Sequence, residues 1–202
     1  IVTKGNGNYG LKPTIKVLET VDNTVIGTVD REEDNTPLGG ALVSAQVYNP
    51  DAEDLRDEVF VESTTETAPD GTYTLLLPLN TYNIVATATG YLPACKELEA
   101  EWYFDNEPAD LTLTAETETI ELSVTVLGLA TGDDTALSFR QIKDCGVGDV
   151  MIEVAFKKVE NGTYPIILPA GTYDVVASAV GKMTQEEKGI NVDRDLTFDF
   201  KK

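Results

Sequence analysis

One segment of this chain occurs twice. Residues 70–93 read DGTYTLLLPLNTYNIVATATGYLP, and residues 161–184 read NGTYPIILPAGTYDVVASAVGKMT. At an offset of 91 residues, 11 of these 24 positions are identical. A second echo follows each copy, Asp110-Leu111-Thr112-Leu113 and Asp195-Leu196-Thr197-Phe198. A repeat of this length is too long for a solenoid unit and suits a small globular domain. The 202-residue chain is therefore expected to be a tandem. The expected units are an N-terminal extension over 1–24, domain 1 over 25–115 and domain 2 over 116–202. Each domain is long enough to bury its own core.

The local signals are those of strands. Thr72 to Leu77 and Tyr82 to Thr87 are short runs rich in Tyr, Leu, Ile, Val and Thr, broken by Pro78-Leu79-Asn80. Pro169-Ala170-Gly171 breaks the second copy in the same place, and Asp70-Gly71 and Asn161-Gly162 are turn dipeptides. Further strands are expected over 25–29, 41–48, 58–66, 111–114, 119–127, 137–142, 150–157 and 195–200. Turn signals this frequent predict an all-β chain of two antiparallel β-sandwiches. Tyr73, Leu75 and Leu77 fall on one face of their strand, and Leu76 breaks the alternation. The tyrosines at 73, 82, 164 and 173 read as core or corner residues whose hydroxyls need partners at the sandwich edge. Cys95 to Phe104 is the one stretch expected to form a helical turn, with Trp102 as a packing lid or an exposed contact.

Charge and composition exclude much. The net charge of −20 argues against nucleic acid and against anionic membrane surfaces. It is uneven: +1 over residues 1–24, −15 over 25–115 and −6 over 116–202. No stretch approaches the roughly 18 apolar residues of a membrane helix, so no membrane insertion is expected. The chain has no histidine, which removes serine and cysteine triads, the His-Glu-x-x-His zinc motif and haem attachment. The chain opens on Ile1 rather than Met, so a processed product is expected, and its Thr-rich, acidic composition fits a secreted protein. Cys95 and Cys145 lie 50 residues apart, one in each domain. They do not have metal-ligand spacing. A disulfide between them, buried free thiols and an intermolecular bond all stay open, with an oxidising compartment favouring the bond.

The repeated block resembles the carboxypeptidase regulatory-like family of prealbumin-like, transthyretin-like sandwiches. Gly71, Tyr73, Leu75, Tyr82, Ile84, Gly90 and Tyr91 carry the resemblance in copy one. Gly162, Tyr164, Ile166, Gly171, Tyr173, Val175 and Gly181 carry it in copy two. Thr36 to Val43 (TPLGGALV) fits the segment that precedes this motif in the family. Domain 2 departs there with Asp134-Thr135-Ala136-Leu137, and copy one has Asn80 where the motif has Gly. The resemblance implies a non-catalytic extracellular module. Related pilin sandwiches carry a Lys–Asn isopeptide bond, which needs an Asn in the last strand; Asp195 to Phe200 has none, so none is expected.

Outside both repeats, Tyr9, Leu11, Pro13, Ile15 and Val17 alternate with Gly10, Lys12, Thr14 and Lys16. This is the pattern of a half-buried strand. Pro13 restricts it to an edge or to a register that places the proline on an unpaired side. The stretch resembles the closing strand of a bacterial lipoprotein domain of unknown function. Such a strand either packs on its own domain 1 or completes the sheet of a neighbouring molecule, and repeated donation builds a filament. Its lysines complement acidic domain 1 in both cases.

Acidic loops at 30–34, 51–54, 105–110 and 133–134 are read as solvated turns, with loop calcium as the alternative. No other cofactor, no metal site and no catalytic residue is expected. Asn161-Gly162-Thr163 is a glycosylation sequon that a hairpin turn explains equally well. The expected function is an extracellular, non-enzymatic cell-surface or filament subunit that partners itself through Tyr9, Leu11, Ile15 and Val17. The alternative is a stalk or binding module for a glycan or protein.

Overall fold

The computed structural model describes residues 2–3, 9–10, 23–100, 108–130, 132–133 and 135–201. Near the N-terminus, β1 (Val2–Thr3) pairs antiparallel with β2 (Tyr9–Gly10). Seven strands follow: β3 (Asn23–Arg31), β4 (Leu42–Tyr48), β5 (Val59–Glu66), β6 (Thr72–Leu77), β7 (Asn80–Thr87), β8 (Ala94–Ala100) and β9 (Leu111–Leu113). Seven more repeat the plan: β10 (Thr119–Leu127), β11 (Thr135–Asp144), β12 (Asp149–Val159), β13 (Gly162–Pro169), β14 (Tyr173–Ala179), β15 (Gln185–Ile190) and β16 (Arg194–Asp199).

The first set forms sheets β6-β3-β9 and β5-β4-β7-β8; the second forms β13-β10-β16 and β12-β11-β14-β15. The two topologies are the same, strand for strand. The protein is all-β and its four large sheets make two sandwich-like units. The pairing is not wholly antiparallel: β3–β9 and β10–β16 run parallel, because the first and last strands of each unit close the same sheet in the same direction.

Period-2 alternation fills each core. Val25, Val29, Tyr73, Leu75 and Leu77 meet Val43, Ala45, Tyr82 and Ile84 between the first two sheets. Leu122, Val124 and Phe198 meet Leu137, Phe139, Tyr173 and Val175 between the second two. Each large apolar side chain so buried is worth roughly 1.5–3 kcal/mol. Leu76, off the alternation, points outward and is 59% exposed. The hydroxyls of Tyr82 and Tyr173 donate to the carbonyls of Pro78 and Pro169, closing the β6–β7 and β13–β14 corners alike.

One repeat pair differs for a steric reason. Tyr73 sits opposite Gly27 and Tyr164 opposite Val124. A Cβ on Gly27 would lie 2.7 Å from the Tyr73 hydroxyl and 2.6 Å from the Ala109 carbonyl. Gly27 thus makes room for Tyr73 to donate to Ala109 inside the core. Val124 fills that room in domain 2, and Tyr164 turns instead to the main chain of Glu160.

Residues 95–100 are strand, not helical turn. β8 pairs with β7 from Asn80↔Ala100 to Ala86↔Ala94, and Leu98 and Ala100 face inward. The helix-favouring Lys-Glu-Leu-Glu-Ala composition yields to ladder bonds and a core that only the tertiary fold supplies. β15 was hidden for the same reason, in Gln-Glu-Glu-Lys. Trp102 lies outside the described residues, as do Leu11, Ile15 and Val17 of the expected N-terminal strand. Among the described residues no helix is long and apolar enough to cross a membrane.

Candidate functional site

The described residues converge at the seam between the two sandwiches. In β4, Val43 and Ala45 enter the core, so Ser44 and Gln46 lie on the outer face of its sheet. In β11, Leu137 and Phe139 enter the core, leaving Ser138 and Arg140 outside. A register shift falls between Ala45 and Gln46, and another between Phe139 and Arg140. The extra residue is Glu62 of β5 in one and Val154 of β12 in the other, so β4 and β11 keep their alternation and present Ser-x-Gln and Ser-x-Arg at matching places.

These outer faces pack on each other. Gln46 Nε2 donates to Ser44 Oγ at 2.8 Å and to the Glu153 carbonyl at 2.7 Å, while its Oε1 accepts from the Glu153 amide at 2.8 Å. One side-chain amide thereby bonds β12 as a neighbouring strand would. Arg140, with its side chain 2% exposed, reaches the other way. Its Nη1 donates to the Leu55 carbonyl at 2.7 Å and to Glu58 Oε2 at 3.1 Å, and its Nε donates to Ser138 Oγ at 3.0 Å. Leu55 belongs to a 3-10 turn, Leu55–Asp57, capped by Asp54, whose carboxylate also accepts from Thr184 Oγ1 at 2.6 Å. That Thr184 bond, then the Arg56 amide, holds the Asp54 carboxyl below its ordinary value.

Beside this polar cluster lies a small apolar one of Val85, Cys145 and Ile152, flanked by Cys95, Val150 and Val154. Cys95 and Cys145 are joined as a disulfide with a Cα–Cα distance of 5.0 Å. The Glu97 amide donates to the Cys145 carbonyl at 2.8 Å next to it. In the chain-entropy model a loop of this length contributes about 4 kcal/mol.

The seam opens into a cleft of about 480 Å³. Phe60 and Leu42 of one domain and Phe156 and Val176 of the other line it, with Ser44 and Ser138 on its floor. Several of its polar groups bond one another. Ser138 Oγ donates to Glu153 and accepts from Arg140, and Glu58 neutralises the guanidinium. Burial raises the Glu153 carboxyl above its ordinary value, against the lowering pull of Ser138 and Arg140. These bonds tie the outer faces of the two sandwiches together.

Residues 105–107 and 134 of the acidic loops lie outside the described residues, Asp110 accepts from Thr28, and the others named here bond nearby groups. Asp34 accepts from the Thr36 amide and hydroxyl, Asp70 from those of Thr72, and Asp133 from the Ala130 amide. Among the described residues no group of three or more His, Cys, Asp or Glu is placed to hold a metal ion. Asn161 of the sequon spends both ends of its amide on Leu129. Of the expected assembly residues, only the Tyr9 main chain is described, in register with Thr3. The sequence had not pointed to Gln46, Glu58, Arg140 or Glu153. The available signal was an Arg in the otherwise uncharged Ala-Leu-Ser-Phe-Arg-Gln-Ile, matched by Gln in Ala-Leu-Val-Ser-Ala-Gln-Val.

Fold and seam together define a two-sandwich all-β protein with a clamped domain junction. No family model matches the chain, and no curated protein matches it. Among solved structures it is similar to the TIE protein of Bacillus anthracis, at 18% identity over 89% of this chain with a TM-score of 0.34; it spans 33% of that protein's length. It is also similar to the shaft pilin SpaA of Lactobacillus rhamnosus GG, at 14% identity over 89% of this chain and 98% of the pilin, TM-score 0.34. A third similar structure is the minor pilin of Streptococcus agalactiae, at 14% identity over 87% and 94% of the two chains, TM-score 0.27.

Proposed function

We propose that this chain is an extracellular, non-catalytic structural subunit that assembles with copies of itself, using residues 9–17 to complete a neighbour's sheet. The observation that carries it is the clamped seam. A disulfide, a buried arginine and a Gln side chain bonded as a strand tie two sandwiches into one unit. The disulfide also fits an oxidising compartment. Burial of Leu11, Ile15 and Val17, roughly 1.5–3 kcal/mol each, would drive assembly together with ladder hydrogen bonds. The carboxypeptidase regulatory-like assignment of each sandwich belongs to the same proposal, supported by Tyr82 and Tyr173 at matching corners.

Electron microscopy of the negatively stained native protein tests it. Regular filaments are expected, and I15D/V17D abolishes them while both sandwiches stay folded by circular dichroism. Unchanged filaments in that variant would refute strand donation. A second reading, a stalk or binding module for a glycan or protein, draws on the cleft between Phe60 and Phe156. It expects a monodisperse monomer.

A further inference from the structure

The two sandwiches differ at one sheet edge, and the difference bears on where a strand could be received. Among the described residues β6 and β13 are equivalent edge strands, bonded on one side only, to β3 and β10. β13 carries Pro165 in its middle, opposite Ser123 of β10. Proline has no amide hydrogen, so it is tolerated in a strand where that amide would face away from the partner. Residue 165 therefore turns its nitrogen to the free side. At the repeat offset the same place in β6 is Thr74. Thr72, Thr74 and Leu76 thus direct their amide and carbonyl groups out of the sheet.

The structure partners only the first of these three. The Thr72 amide donates to Asp70 Oδ1 at 3.2 Å, and its carbonyl accepts from the Ala68 amide at 2.8 Å. Among the described residues no further main-chain bond leaves the outer edge of β6. β6, Thr-Tyr-Thr-Leu-Leu-Leu, also has none of the devices that protect edges: no charge, no proline and no bulge. Leu76 at 59% and Ile26 at 51% are exposed on the face beside it.

We propose that the outer edge of β6 is the acceptor for strand addition, and that its occupant is residues 11–17 of a second copy of this chain. This rests on the strand donation proposed above and names the surface that receives it. Three observations select the occupant. The donor is basic at Lys12 and Lys16, and residues 25–115 carry a net charge of −15. Amides of alternate residues share a side. With the added strand antiparallel to β6 and the amides of Lys12, Thr14 and Lys16 facing it, Pro13 falls on the far side, where its missing amide costs nothing and ends the sheet. Side-chain alternation then places Leu11, Pro13, Ile15 and Val17 on one face, in line with buried Tyr73, Leu75 and Leu77. Within one chain, only residues 18–22 separate the donor segment from β3, which begins at Asn23. Asn23 lies opposite Leu77, so reaching the outer edge of β6 would mean crossing over its end, where the chain turns into β7.

The test uses the full chain and three variants, with oligomeric mass read by light scattering and folding by circular dichroism. T74P copies the proline that domain 2 already accommodates and should remove the acceptor; L76K, which places a charge on the same edge, gives an independent block. I15D/V17D removes the donor. The wild type is expected to assemble and each variant to run as a monomer of 21.9 kDa. An equimolar mixture of T74P and I15D/V17D should give dimers and nothing larger, since one supplies only a donor and the other only an acceptor. If T74P and L76K assemble like the wild type while I15D/V17D does not, the β6 edge is not the acceptor and strand donation stands. If the folded single variants are monomeric but their mixture forms no dimer, the acceptor assignment fails likewise. If I15D/V17D assembles normally, or the wild type stays monomeric, strand donation itself fails and this inference with it.

Discussion

Replacing Arg140 with Met probes the seam most directly. Met keeps much of the apolar stem and removes the guanidinium. The loss takes from the Leu55 carbonyl its charged donor at 2.7 Å, leaving it only the Glu58 amide at 3.3 Å, and leaves Glu58 without its counter-ion at 3.1 Å. A hydrogen bond from a charged group is worth about 1.5–3 kcal/mol. Breaking a fully buried pair costs about 3–5 kcal/mol. Glu58, 17% exposed, keeps part of its hydration, so its share lies below that range. Together these give a loss of about 3–4 kcal/mol. The measurement is guanidinium unfolding followed by fluorescence and circular dichroism, fitted with separate transitions for the two sandwiches, because a two-domain chain need not unfold in one step. Adding E58Q to the Met variant should recover about 1 kcal/mol, since the stranded charge is gone. A loss below about 0.5 kcal/mol, the size of an ordinary surface substitution, would refute the clamp. So would a Glu58 effect that is independent of residue 140.

The disulfide gives a second prediction: C95S/C145S should lose about 4 kcal/mol. Proteolysis between the domains should then become faster, while each sandwich keeps its strand signature by circular dichroism. A third concerns pH. Burial raises the Glu153 carboxyl in the folded state, so the folded protein holds that proton more tightly than the unfolded chain. Its contribution is complete below the ordinary carboxyl range and is lost as pH rises through the raised value. E153Q should therefore gain stability relative to wild type as pH rises across that window. Unfolding curves at a series of pH values check the slope. A flat difference would mean that Glu153 is solvated. Asp54, held low by Thr184 and Arg56, acts in the opposite sense in both proteins and cancels from the comparison.

The order of the fold was largely legible because its determinants are local or repeated. Alternation in Tyr73, Leu75 and Leu77 faces one side of a pleated strand whatever the rest of the chain does. The offset copy at 161–184 means that one solution serves twice. β8 and β15 were not legible, since Lys-Glu-Leu-Glu-Ala and Gln-Glu-Glu-Lys have no strand preference until β7 and β14 offer them a ladder.

The sequence by itself determined two all-β units, their hairpins and their cores. Tertiary structure alone decided the seam. Ser44, Gln46, Ser138 and Arg140 fall on the polar side of the alternation, and from sequence such positions read as solvent-facing. Whether an outward residue meets water or another sheet depends on how two folded units dock, and neighbours along the chain carry no record of that. The same holds for Cys95 and Cys145. Their spacing left several pairings open, and only the contact of the outer faces brings their Cα atoms to 5.0 Å.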